Sequence, residues 1–231
     1  MKIKAVLFDL GNTLVKTWVP EAVFHRVLGS LGIDRSNDKI REALERTKDQ
    51  FDTFNYQSMY GKVSYREFWD KWNSLVLSYL GFPENEKLVR EIEARWFDHV
   101  ECELYSDVRE TLSKLKQMGL KIGLISTAYE EDIYAIFGKA NLQKKLFDVI
   151  IGANTIKKEK PHPDVFRYAL MKLNVKPEET LFIGDSIDAD YKGAEKVSMH
   201  AALIQRTENK TNETYGLRTI TNLKEIFKYI D

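Results

Sequence analysis

The chain has 231 residues, enough for one large domain, or a core carrying an insert, around a sizeable apolar interior. Its 35 basic and 35 acidic side chains cancel, so the charge balance gives no long-range pull toward nucleic acid or an anionic membrane surface, and neither is expected as a partner. One cysteine, Cys102, excludes an intrachain disulfide and fits a reducing compartment; the four histidines, His25, His99, His162 and His200, are scattered, with none at zinc-ligand spacing.

The first predicted element is the apolar run Ile3–Phe8, read as a buried strand that stops at Asp9 and the turn-prone Gly11-Asn12. It is too short and too quickly charged for a secretory leader, and no apolar stretch approaches the ~20 residues of a membrane span, so a soluble, cytoplasmic protein is expected. Residues 16–103 carry no convincing strand but several helical stretches. One begins near Pro20 with Val23, Val27 and Leu31. A second has Ser64 and Glu67 at capping-box spacing before Phe68, Trp72, Leu75 and Leu80. A third spans roughly 84–99 with Leu88, Ile92 and Trp96. All four tryptophans fall here and are read mainly as packing between helices. From 104 onward the texture changes. A helix is predicted from Ser106, which can cap it, to Met118, with Val108, Leu112 and Leu115 on one face and Gly119 ending it. The short apolar runs Ile122–Ile125, Val149–Ile151, Thr180–Ile183 and Ala201–Ile204 then alternate with amphipathic segments. This alternation predicts an α/β fold with a parallel sheet and helices on both faces, built from 1–15 and 104–231, with 16–103 as a helical insert.

Asp9 is the most informative residue. A carboxylate at the end of a buried strand is costly to enclose, so it belongs at the strand tip facing a crevice, where open α/β sheets bind ligands. Three distant partners follow strands or loops in order: Ser126 after Ile122–Ile125, Lys160 before Pro161, and Gly184-Asp185 after Thr180–Ile183. Asp185, Asp188 and Asp190 crowd three carboxylates within six residues, unfavourable unless solvent or a cation offsets their repulsion.

On these residues, in this order and over nearly the whole length, the chain resembles the haloacid dehalogenase-like hydrolases, most of which are magnesium-dependent phosphatases. The resemblance implies a Rossmann-like core with a helical cap that closes over the site and excludes water, and a small phosphorylated molecule as substrate. It implies that Asp9 attacks phosphorus and forms an aspartyl-phosphate that water hydrolyses. Thr13 occupies the family's usual hydroxyl position. Ser126, with the backbone that follows at Thr127, would hold a phosphate oxygen, and Lys160 would neutralise nucleophile and phosphate. Mg²⁺ would lie among Asp9, the Gly11 carbonyl and Asp185, with Asp190 acting through water or behind the direct ligands. Asp188 reads as a charge at a helix N-terminus.

One position departs from the phosphatase pattern. Gly11 stands where those enzymes carry a second aspartate that protonates the leaving group and then activates water, a function typically worth about 10²–10⁴ in rate. Slow turnover of alkyl phosphates and less impairment on acyl or aryl phosphates are therefore expected. The departure also admits 2-haloacid dehalogenation. However, true dehalogenases generally have serine and asparagine where this chain has Asp185 and Ile187, and tyrosine where it has Phe166. A regulatory or binding protein of low activity is the third reading. Specificity would lie in the insert, with Tyr56, Tyr60, Arg66 and Trp69 open between lining and packing, and the assembly is left between monomer and homodimer.

Overall fold

The computed structural model describes residues 2–206 and 216–230, apart from the side chain of Gln57. These divide into two compact units, one of Met1–Thr17 with Glu103–Asp231 and the other of Trp18–Cys102.

The first unit is built on six parallel strands in the order β5-β4-β1-β6-β7-β8. They are β1 (Ala5–Phe8), β4 (Lys121–Ile125), β5 (Val149–Ile151), β6 (Thr180–Gly184), β7 (His200–Ile204) and β8 (Thr219–Ile220). Central parallel strands are buried on both faces and so read as unbroken apolar runs rather than alternating ones; all four residues of β1 are buried. Helices α5 (Val108–Gln117), α6 (Glu130–Lys139) and α7 (Pro163–Leu173) and the short α8 (Lys192–Glu195) connect the strands. One core cluster joins Leu7, Ile125 and Phe182 of the sheet to Phe166 and Leu170 of α7. The expected α/β class with a parallel sheet is the one observed.

The sheet sets up the site through register. Phe8 pairs with Leu124 on one side and Ile183 on the other, so β1, β4 and β6 end together. The chain order runs outward in both directions from β1, which makes its carboxyl end a topological switch point where a crevice forms.

Local expectations needed correction at three places. Residues 16–103 were read without a strand, yet β2 (Val15–Lys16) and β3 (Glu103–Leu104) form an antiparallel ribbon, with Val15 opposite Leu104 and Lys16 opposite Glu103. A two-residue strand is too short for a period to show. The ribbon belongs with the sheet unit, so the division falls after Thr17 and before Glu103. Helix α5 starts at Val108 with Asp107, not Ser106, in the N-cap position, and Asp107 makes no side-chain cap: its Oδ2 is taken by Arg206 and the Leu223 N–H, and its Oδ1 has no partner among the described residues. Gly119 does end that helix, at φ 75°, a conformation glycine adopts without strain.

The second unit consists of α1 (Pro20–Ser30), α2 (Asn37–Thr53), α3 (Tyr65–Tyr79) and α4 (Glu86–His99), and among its described residues there is no strand. Ser64 caps α3 by accepting the Glu67 N–H at 3.2 Å. Val23, Val27, Ile40, Val76, Leu77 and Ile92 share its core. Helix α2 was not singled out from sequence, although Ile40, Ala43, Thr47 and Phe51 mark its buried stripe. The tryptophans do pack edge-on: Trp96 on Phe24, Trp72 on Phe51, Trp18 on Phe97. A cleft of about 530 Å³ in this unit is lined in part by Phe51, Tyr56, Phe68 and Val89.

Candidate active site

Asp9 extends β1 by one residue, its N–H donating to the Ile183 carbonyl at 2.8 Å. That bond holds its backbone to the β6 ladder and leaves the side chain at the end of the sheet, 8% exposed. Lys160, in the loop between β5 and α7, reaches the same place. Its Nζ donates to Asp9 Oδ1 and Asp190 Oδ1, both at 2.6 Å, and is buried with them.

Asp190 lies in a five-residue π turn, Ile187–Tyr191, that follows β6. Its second oxygen accepts the Ser186 N–H at 3.0 Å, and its carboxyl packs directly on Gly184. A Cβ at Gly184 would lie 2.3 Å from that carboxyl, so the glycine is required by close approach. Because both Asp190 oxygens are engaged, its place is behind Lys160, holding the ammonium. Asp188, read as a charge at a helix N-terminus, does lie in the first turn after the N-cap Ser186, exposed and paired with Lys192 at 2.8 Å.

The electrostatics follow from gathering three carboxylates, two of them buried, around one buried ammonium. Loss of solvation pushes the Asp9 carboxyl up to about 6; Lys160 pulls it down, while Asp190 and Asp185 add to the rise. Burial alone would lower Lys160, but the charges of Asp9 and Asp190 outweigh it and hold its pKa above the ordinary value, so it stays charged. Asp185 is the exposed member. Its carboxyl is raised by partial desolvation and by Asp190, and a hydrogen bond from the Asn12 side chain offsets part of this. Carboxylate oxygens of Asp9, Asp185 and Asp190 lie within 4.8 Å of one another. Three carboxylates against one lysine leave an uncompensated negative charge, and hard oxygen donors in such a cluster fit a divalent cation.

Ser126 follows β4, its N–H bonded to the Ile151 carbonyl at 2.9 Å. Register therefore puts it at the strand tip beside Asp9. Its Oγ accepts the Ala128 N–H at 3.1 Å, which leaves the hydroxyl proton free to donate. Thr127 is exposed next to it. Thr13 is fully buried, and its Oγ1 has no hydrogen-bond partner among the described residues. Gly11, partly exposed, offers only backbone there.

Two site features escaped sequence reasoning. Asn12, at φ 50°, was read only as a turn residue; its Oδ1 accepts the Thr17 hydroxyl at 2.8 Å, and its amide serves Asp185. Arg206 after β7 bonds the Thr13 carbonyl, and nothing in the sequence separates it from a surface cation.

The family model for haloacid dehalogenase-like hydrolases matches residues 3–197. The chain is a haloacid dehalogenase-like hydrolase. This hydrolase is 30% identical over 213 residues to glyceraldehyde 3-phosphate phosphatase of Methanopyrus kandleri, covering 88% of this chain and 84% of that one. It is also 30% identical over 194 residues to pyrophosphatase PpaX of Bacillus mycoides, covering 80% and 76%. In fold it is similar to a 2-haloacid dehalogenase from Pseudomonas syringae, with a TM-score of 0.74 and 20% identity over 98% of this chain and 97% of the other. At that identity the likeness speaks for the architecture alone. No helix among the described residues is long and apolar enough to cross a membrane.

Proposed function

We propose that this hydrolase is a Mg²⁺-dependent phosphatase of a small phosphorylated metabolite, working through an aspartyl-phosphate on Asp9. The observation that carries the reading is the cluster at the switch point: Asp9 and Asp190 share the buried Lys160 at 2.6 Å, and Asp185 adds a further carboxylate. The two relatives named for phosphate and pyrophosphate cleavage support the same chemistry.

An Asp9 oxygen attacks phosphorus in line; the new O–P bond forms as the bond to the leaving oxygen breaks. Lys160 offsets the charge of nucleophile and phosphoryl group. The Ser126 hydroxyl, with the Thr127 backbone, holds an equatorial oxygen. Asp190 keeps Lys160 in place. Asp9, the Gly11 carbonyl and Asp185 would hold the Mg²⁺, which supplies charge stabilisation of the transferring group. Water then attacks phosphorus, releasing phosphate and returning Asp9. Because Gly11 has no side chain, the leaving oxygen takes its proton from solvent, so acyl and aryl phosphates are favoured over alkyl ones. The helical unit is proposed as the cap that selects the substrate. Asp185 counts against the dehalogenase reading, since a second carboxylate beside the nucleophile is tolerable mainly with a cation between them.

Phosphate release from acetyl phosphate and p-nitrophenyl phosphate, each with Mg²⁺ and with chelator, tests this. Mg²⁺-dependent turnover is expected, and Asp9→Asn should lower it about 10³-fold or more while leaving the protein folded. Near-wild-type activity in that variant would remove Asp9 from the mechanism. No phosphate release under any condition would reject the phosphatase, and halide release from 2-haloacids without metal would replace it.

A further inference from the structure

Arg206 follows β7 with its side chain only 7% exposed. Its Nε and Nη2 donate to the Thr13 carbonyl at 3.2 and 2.5 Å, and its Nη1 to Asp107 Oδ2 at 2.7 Å. The guanidinium lies over the Tyr105 ring, 4.0 Å from its centroid. The same Asp107 oxygen accepts the Leu223 N–H at 2.7 Å. A buried ion pair contributes little net stability against well-packed apolar side chains, so stability alone accounts poorly for this arrangement.

What Arg206 grips is the Asp9 loop. That loop is closed on itself: Leu14 and Val15 donate to the Leu10 carbonyl at 2.9 and 3.0 Å, and Asn12 donates to the Val15 carbonyl at 2.8 Å. The Thr13 side chain makes no polar anchor, because its hydroxyl has no partner among the described residues. The turn meets the rest of the sheet unit at several points: the Leu14 carbonyl accepts the Tyr105 N–H at 3.1 Å, Val15 pairs with Leu104, and the Asn12 amide bonds Asp185, while Arg206 holds the Thr13 carbonyl at the outermost point.

We propose that Arg206 is a positioning residue that sets the Asp9–Leu14 loop, and with it the relation of the Asp9 carboxylate and Gly11 carbonyl to Lys160 and Asp185. A planar fork that bonds a carbonyl with two nitrogens and a carboxylate with a third is not reproduced by lysine. The inference rests on the proposed phosphatase reading for its kinetic consequence but not for its geometry.

The test compares wild type with Arg206→Lys and Asp107→Asn in thermal unfolding, backbone amide exchange, Mg²⁺ calorimetry and steady-state kinetics. In folded Arg206→Lys, exchange at Asn12, Leu14 and Val15 should rise roughly tenfold or more while Phe8 and Leu124 stay protected. The Mg²⁺ dissociation constant should rise about tenfold, and kcat should fall roughly ten- to a hundredfold with KM little changed. A purely stabilising arginine would lower the unfolding temperature and leave loop exchange, Mg²⁺ affinity and kcat of the folded protein as in wild type; that result overturns the proposal. If Arg206→Lys does not fold, Asp107→Asn decides: it keeps the arginine but removes its counterion, and unchanged loop exchange there overturns the proposal equally. If wild type hydrolyses no phosphate, the reaction is wrong, and amide exchange and Mg²⁺ titration alone judge Arg206.

Discussion

Gly184, the last residue of β6, and Gly11, two residues beyond Asp9, should respond to an added side chain in opposite ways. At Gly184 a methyl would lie 2.3 Å from the Asp190 carboxyl and displace the group that holds Lys160. Gly184→Ala is expected to lose about 1–3 kcal/mol in denaturant unfolding and most of its turnover, since the overpacking falls on the ion cluster itself. At Gly11 a Cβ meets only the Thr17 methyl, at 3.2 Å, and the glycine has no positive φ to prohibit a side chain. Gly11→Asp therefore fits with a small shift and, on the proposed mechanism, would supply a proton donor to the leaving group. Its kcat on an alkyl phosphate is expected to rise by about 10²-fold, with a smaller gain on acetyl phosphate. Equal effects on both substrates would show that leaving-group protonation is not what limits the enzyme.

At the scale of elements, the final 3₁₀ helix, Leu223–Tyr229, is held by a reciprocal cap. Glu225 Oε1 accepts the backbone N–H groups of Thr221 and Asn222 at 2.8 and 3.2 Å, and its Oε2 accepts Lys228 Nζ at 2.9 Å. Lys228 first, then the Thr221 amide, bring the Glu225 carboxyl down to about 2. A folded pKa below the unfolded 4.5 means the carboxylate stabilises fully above pH 4.5 and loses that contribution as pH falls toward 2. Glu225→Ala should therefore cost about 1 kcal/mol in urea unfolding at pH 7, with a clearly smaller difference at pH 3. Elements of this kind show how far the sequence could be read. Strands β1, β4, β5, β6 and β7 were legible because each contains an apolar run between breakers. The two-residue strands β2, β3 and β8 were not, since tertiary pairing alone makes them strands. Ser106 was read as the cap of α5; Asp107 takes that position, and its Oδ2 is held by the distant Arg206 and Leu223, contacts that sequence order does not announce. Likewise Asp9, Lys160 and Asp185 could be named from order and chemistry. That Asp190 serves Lys160, and that the Thr13 hydroxyl is enclosed, depends on a π turn and a packed loop that leave no signature in residue order.

For the molecule as a whole, the formal charge sums to zero while the Asp9 cluster carries an uncompensated negative charge. A cation bound only by the folded state should stabilise the entire sheet unit: at a Mg²⁺ concentration near 100 times its dissociation constant, the gain is about 2.7 kcal/mol. Thermal unfolding with Mg²⁺ and with chelator should show this rise, and Asp185→Asn should abolish most of it; an equal rise in that variant would place the ion elsewhere. Asp9, Ser126, Lys160 and Asp185 all belong to the sheet unit, while Trp18–Cys102 leaves and rejoins it at the ribbon where Lys16 faces Glu103. Paired strands hold those two ends about 5 Å apart, so the entropy of closing so long an excursion is met by the ribbon, whatever the excursion contains. A segment of other length and other side chains could be spliced between the same two junctions with the reacting groups left where they are. If the helical unit selects the substrate as proposed, such a splice would exchange the substrate and keep the chemistry.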